Sequence, residues 1–138
     1  MGNSQSSSSI NFEDVQSAIK SPGFLIINTL PIHDQKCLIK KTIPFDQEEI
    51  ILNQKIKSLS TIEKIIVYGK NCNDHTIYDK YTQCTSLGFE VFIYTGGLFE
   101  WLLLQDIYGN EEFPTIGKEL DLLKYKPVSK INTLYLSN

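Results

Sequence analysis

Three short apolar runs constrain the fold more than any other feature of this chain: "FLIIN" at 24–28, "KIIVY" at 64–68 and "EVFIY" at 90–94. Each holds four consecutive apolar residues at strand length, without polar alternation. Strands read this way when both faces of their sheet are covered, the situation of parallel sheets. Between the runs lie stretches of helical periodicity. Strands alternating with helices build βαβ units. The expectation is a single α/β domain with a mostly parallel central sheet flanked by helices, a size that 138 residues suit.

The punctuation agrees with that pattern. Asn11 or Asp14 caps a first helix with Phe12, Val15 and Ile19 on one face, and Ser21-Pro22-Gly23 stops it. "TLPIHDQK" reads as a loop. "CLIKKTI" reads as a short edge strand ended by Pro44. Asp46 caps a helix over 47–59 with Ile50, Ile51, Asn53 and Ile56 on a mixed face. Asp74 caps the next helix, where Ile77, Tyr78, Tyr81, Cys84 and Leu87 recur at helical spacing before Gly88. "TGG" turns the chain into "LFEWLLLQDIY", which Gly109 closes.

That last helix is apolar nearly all round, where a stripe would suffice. Two coverings are open. The segment 110–138 can fold back as an extension packed on the domain, through Phe113, Leu120, Leu122 and Leu123. Alternatively, a protein partner docks on Leu98–Tyr108 or on the extension. Glu100 and Asp106 are the expected solvated points.

Residues 1–9 form a polar, low-complexity leader expected to be disordered. Through Gly2 and Ser6 they also fit the myristoylation pattern M-G-x-x-x-[ST]. A single acyl chain at Gly2, with no nearby lysine cluster, gives only weak, reversible membrane association. No apolar run approaches the length of a membrane span, and no secretory h-region follows Met1. A net charge of −3 without a basic cluster argues against nucleic acid as a partner. Three cysteines without framework spacing fit a reducing, cytoplasmic setting, and with His33 and His75 they make no zinc set. Cys37 and Cys84 read as buried structural thiols, and His33 as solvated.

The chemistry-bearing segment is "YGKNCNDH", 68–75, between the second strand and its helix. In parallel sheets, functional loops sit at the carboxyl ends of strands. Here Gly69, Lys70, Asn71, Asn73, Asp74 and His75 form a candidate anion-binding loop around Cys72, the candidate nucleophile. Lys70 supplies positive charge, the amides of 73–76 face the sulfur, and His75 acts as base or orienter. Against this, Asp74 would raise a neighbouring thiol's pKa, and as a cap its carboxylate occupies the amides an anion needs. The plain alternative is that Cys72 is a small side chain in an inherited loop.

At "VYGKNCND…LGFEVFIYTGGLFEW" the chain resembles a rhodanese domain. The landmarks are Val67-Tyr68, Gly88-Phe89, Val91 to Tyr94 and Gly96-Gly97-Leu98 with Trp101, and the resemblance covers residues 10–109. It implies a sulfurtransferase without cofactor, whose cysteine, directly after the strand, carries a persulfide to a thiophilic acceptor. The departures lie at the working positions. Gly69 stands where that cysteine belongs. The loop-ending arginine is absent, since all 13 cationic residues are lysine. The supporting acidic-x-arginine pattern reads Asn28-Thr29-Leu30. The same absence argues against a phosphatase, which wants a bidentate guanidinium that lysine does not replace well. Two functional expectations follow: a catalytically impaired binding or scaffold module, or an active sulfurtransferase whose longer loop shifts Cys72 into the catalytic place.

Overall fold

A computed structural model describes residues 8–58 and 63–136. The acylation motif at Gly2 and Ser6, most of the leader, and Leu59 lie outside these described residues. In chain order the elements are β1 (Ser9–Ile10), α1 (Phe12–Ile19), β2 (Phe24–Asn28), β3 (Leu38–Ile39), α2 (Glu48–Ser58), β4 (Lys64–Tyr68), α3 (Thr76–Ser86), β5 (Glu90–Tyr94), α4 (Gly97–Tyr108) and β6 (Thr115–Ile116). Single 3₁₀ turns lie at Ile32–Asp34 and Phe45–Gln47, and a π-helical turn at Asn132–Leu136.

The protein is α/β. Its main sheet has four parallel strands in the order β1-β5-β4-β2. The apolar runs are continuous because both faces are covered. On one face Ile26, Ile66, Tyr68 and Tyr94 pack with Val15 and Ala18 of α1 and Leu98, Trp101 and Leu102 of α4. On the other, Ile27, Ile65, Val67, Val91 and Ile93 pack with Leu52 of α2 and Ile77 and Cys84 of α3. Successive strand residues alternate between the two cores, as the pleat requires.

Local chemistry fixes the element ends. Asn11 and Asp14 act together as a capping box: Asp14 N–H donates to Asn11 Oδ1 at 3.1 Å, and Asn11 N–H to Asp14 Oδ2 at 3.1 Å. At the other end of α1 the Lys41 ammonium donates to the carbonyls of Ala18 and Ser21. Lys41 itself has φ 78°. Gly88, at φ +99°, ends α3 in a conformation costly for other residues.

Several local readings differ. Asp46 lies within the 3₁₀ turn Phe45–Gln47 that leads into α2 rather than capping it, and the N-cap of α3 is His75 rather than Asp74. Ser9, assigned to the leader, starts β1: it pairs with Ile93, and Ser8 C=O accepts from Ile93 N–H at 2.8 Å. "CLIKKTI" is not a full edge strand of the main sheet. Leu38 and Ile39 pair antiparallel with Ile116 and Thr115 in a second small sheet, and only a bridge from Thr42 to Ile26 reaches the main one. In α2 the buried residue is Leu52, while Ile50 is exposed. Glu100 is half-buried, and its carboxylate accepts from the Tyr94 hydroxyl; burial first, and then this carboxylate, push the Tyr94 phenol well above its ordinary pKa.

Part of the extension packs on α4. Phe113 is buried, with its ring edge-on to Trp101 at 5.0 Å. Trp101 Nε1–H donates to Pro114 C=O at 3.1 Å, so the indole has its polar partner. Tyr125 is buried in the same core and Leu122 half-buried, while Leu120 and Leu123 are exposed. Tyr125 is the anchor that periodicity missed, because no regular element carries it.

Candidate functional site

The carboxyl ends of β2, β4 and β5 bring three loops together: Thr29 onward, Gly69–His75 and Thr95-Gly96. The middle loop is held from below by α4. Leu98 N–H donates to Gly69 C=O at 2.9 Å and Phe99 N–H to Lys70 C=O at 2.8 Å. The first free amides of the helix therefore bind the loop's own carbonyls. Gly97 makes this approach possible. It has φ +71°, and a Cβ there would meet Asn71 N at 2.8 Å and Gly69 O at 2.9 Å, both backbone atoms.

The interior of the loop is filled by Asp74. Its Oδ2 accepts from Lys70 N–H at 2.9 Å, and its Oδ1 from Thr76 N–H at 3.0 Å and from the Thr76 hydroxyl. The Thr76 hydroxyl also contacts Thr29 Oγ1 at 2.8 Å. Burial alone would raise the Asp74 carboxyl. The Thr76 hydroxyl and the Lys70 and Thr76 amides outweigh that and hold it below the ordinary carboxylate value. A side chain at position 69 would have to displace this carboxylate. A Cβ on Gly69 would lie 2.5 Å from Asp74 Oδ2 and 2.8 Å from Cγ. Gly69 φ is not left-handed, so space alone sets this limit.

Two more loop amides are engaged. Asn73 N–H donates to Asn71 Oδ1 at 2.8 Å, and Asp74 N–H to Asn71 C=O at 3.2 Å. The Asn71 side chain is buried, and its Nδ2 donates to Tyr125 C=O at 2.7 Å. Asn71 thus ties the loop to the extension. In the first loop Asn28 Oδ1 accepts from Leu30 N–H at 2.9 Å, a local turn in place of support for the middle loop.

Cys72 is exposed on the outside of this arrangement. Its thiol contacts Asn73 Oδ1 at 3.8 Å. A hollow of about 410 Å³ above the loop is lined by Thr29, Lys70, Asn73, Asp74 and His75, with Val128 and Lys130 of the extension; Cys72 is not in its wall. The extra loop length thus leaves Cys72 outside, and the amides of Asn73, Asp74 and Thr76 face other acceptors. The exposed His75 ring stacks near Tyr78, centroids 6.2 Å apart, and no hydrogen bond joins it to Cys72 among the described residues. Cys37 and Cys84 are buried, and burial pushes both thiols up, Cys84 to about 11. Among the described residues no group of three metal-ligating side chains is close enough to hold an ion, and no helix is long and apolar enough to cross a membrane.

Among known proteins, no family model and no curated relative matches this chain. Solved structures do. A full-length protein from Lactobacillus plantarum shares 22% identity over 72% of this chain and 84% of its own, with TM-score 0.53. A Bacillus halodurans protein shares 20% over 73% of each chain, TM-score 0.55. An Anabaena sp. protein shares 23% over 78% of this chain and 91% of its own, TM-score 0.55. At these identities the likeness is one of fold.

Proposed function

We propose that this chain is a rhodanese-like domain that has given up sulfur transfer and serves as a binding or scaffold module. One observation carries the reading: the place directly after β4, where that family keeps its cysteine, is a glycine whose Cβ position lies 2.5 Å from the Asp74 carboxylate. An internal anion there competes with any anionic donor for the same amides. The amides of Asn73, Asp74 and Thr76 serve other acceptors, and among the described residues no hydrogen bond joins His75 to the Cys72 thiol, so these two means of activating a thiol are not supplied.

The test is sulfur transfer from thiosulfate to cyanide, measured for the wild type and Cys72→Ala. The expected result is no enzyme-dependent rate in either, and no +32 Da adduct on Cys72 after thiosulfate treatment. A rate that disappears in Cys72→Ala would replace this reading with an active sulfurtransferase. The same proposal places the protein in the cytoplasm with weak, reversible membrane contact through an acylated Gly2. The mass of the N-terminal peptide from eukaryotic cells checks this, and an unmodified Gly2 removes the membrane contact.

A further inference from the structure

A groove of about 1050 Å³, larger than the loop hollow, lies between α2 and α3, beside the carboxyl end of β2. Its apolar side chains include the exposed Ile32, Phe45 and Leu87 and the buried Leu52. Its rim carries four carboxylates, on Asp46, Glu48, Glu49 and Asp79, against the single ammonium of Lys80, which is paired with Glu48. The groove is therefore greasy and acidic, and its occupant should be apolar and basic.

The same chain carries such a segment. After Asp121 the sequence has no further Asp or Glu, while it holds Lys124, Lys126 and Lys130. Lys124 is paired with Asp34 and Glu119; Lys126 and Lys130 are in no ion pair among the described residues. Just beyond, Ile131, Leu134, Tyr135 and Leu136 are each about two-thirds exposed or more. Four large apolar side chains within six residues are a costly thing to leave in water.

Among the described residues the tail does not enter its own groove, although it passes the rim. Val128 and Lys130 share a hollow with Thr29, Pro31 and Thr76, and those three residues also line the groove. Immediately after Lys130 the chain coils into a turn, with Leu134 N–H donating to Lys130 C=O at 2.8 Å. We infer that the occupant is the tail of a second copy. Two molecules facing each other exchange residues 130–136, each tail lying in the partner's groove. Because each tail leaves its domain at the edge of its own groove, one two-fold axis satisfies both contacts at once, and the association closes at a dimer. The inference is independent of the fate of the sulfur chemistry.

Sedimentation equilibrium on the full chain, from about 10 μM to about 1 mM at low salt, tests it. The wild type should pass from monomer to dimer across this range, and salt should weaken the association. Leu134→Asp with Tyr135→Ser, both exposed, should weaken it at least about tenfold, the effect of losing about 1.4 kcal/mol. Lys130→Glu should do the same, and Glu49→Lys in the same chain should restore it. A tail-defective and a groove-defective chain, mixed, should form a heterodimer, since one of the two contacts survives. Far-ultraviolet circular dichroism confirms that each variant folds. A wild type that stays monomeric throughout overturns the inference. So does a dimer indifferent to the tail and groove substitutions, or hydrogen exchange showing that a monomer protects its own groove with its own tail.

Discussion

Gly69→Ala tests the packed loop most directly. The added methyl would sit 2.5 Å from Asp74 Oδ2, so the carboxylate must retreat by roughly 1 Å to reach ordinary contact distance. That retreat breaks its bonds to the Lys70 and Thr76 amides, now 2.9 and 3.0 Å long. Bonds to a charged group contribute about 1.5–3 kcal/mol where buried; Asp74 is only half-buried, and water replaces much of the loss, leaving about 1.5 kcal/mol. The alanine returns about 0.5 kcal/mol by restricting the unfolded chain, since Gly69 φ is not left-handed. The net cost should be about 1 kcal/mol. In an Asp74→Gly background both the clash and the bonds are gone, and the same alanine should be neutral or stabilising by about 0.5 kcal/mol. The coupling energy is then about 1.5 kcal/mol. Urea unfolding of the four proteins, followed by the fluorescence of the single tryptophan, Trp101, measures it. Additivity within about 0.5 kcal/mol would refute the claim that Asp74 fills the space above Gly69.

Three further outcomes follow. Phe113→Ala removes a buried ring from Trp101, Phe12 and Tyr108 and should cost about 3–5 kcal/mol in urea unfolding; a cost under 1 kcal/mol would detach the extension from the core. An aromatic disulfide reagent should modify Cys72 quickly in the native protein and reach Cys37 and Cys84 only on unfolding; rapid titration of all three would contradict their burial. The Asp74 carboxyl is held below its unfolded value of about 3.9, so its contribution is present above that pH and is lost as pH falls through the lower folded value. The stability gap between wild type and Asp74→Asn should therefore be flat above about pH 5 and shrink below about pH 4. A gap that grew on acidification would reverse the assigned sign.

The three long strands were legible because burial on both faces writes an uninterrupted apolar run. The two-residue strands were not: Ser9-Ile10 and Thr115-Ile116 are set by what lies beside them in space, and two residues carry no period. Within the site, the engagement of a backbone amide by Asp74 could be read from its place just before the helix, although the N-cap itself is His75. The contact of Asp74 with the empty Cβ position of Gly69 could not, because it depends on how four intervening residues curl. The outward placement of Cys72 has the same origin. Tyr125 was hidden because a single aromatic in an irregular tail has no periodic partner to announce it.

Tyr125 also bears on how the protein is handled at the bench. A fragment stopping at Gly109, where the recognisable landmarks run out, would strip the cover from the indole of Trp101 and leave Asn71 without the carbonyl it donates to. Such a piece should be sticky and poorly soluble, so expression boundaries belong beyond Tyr125.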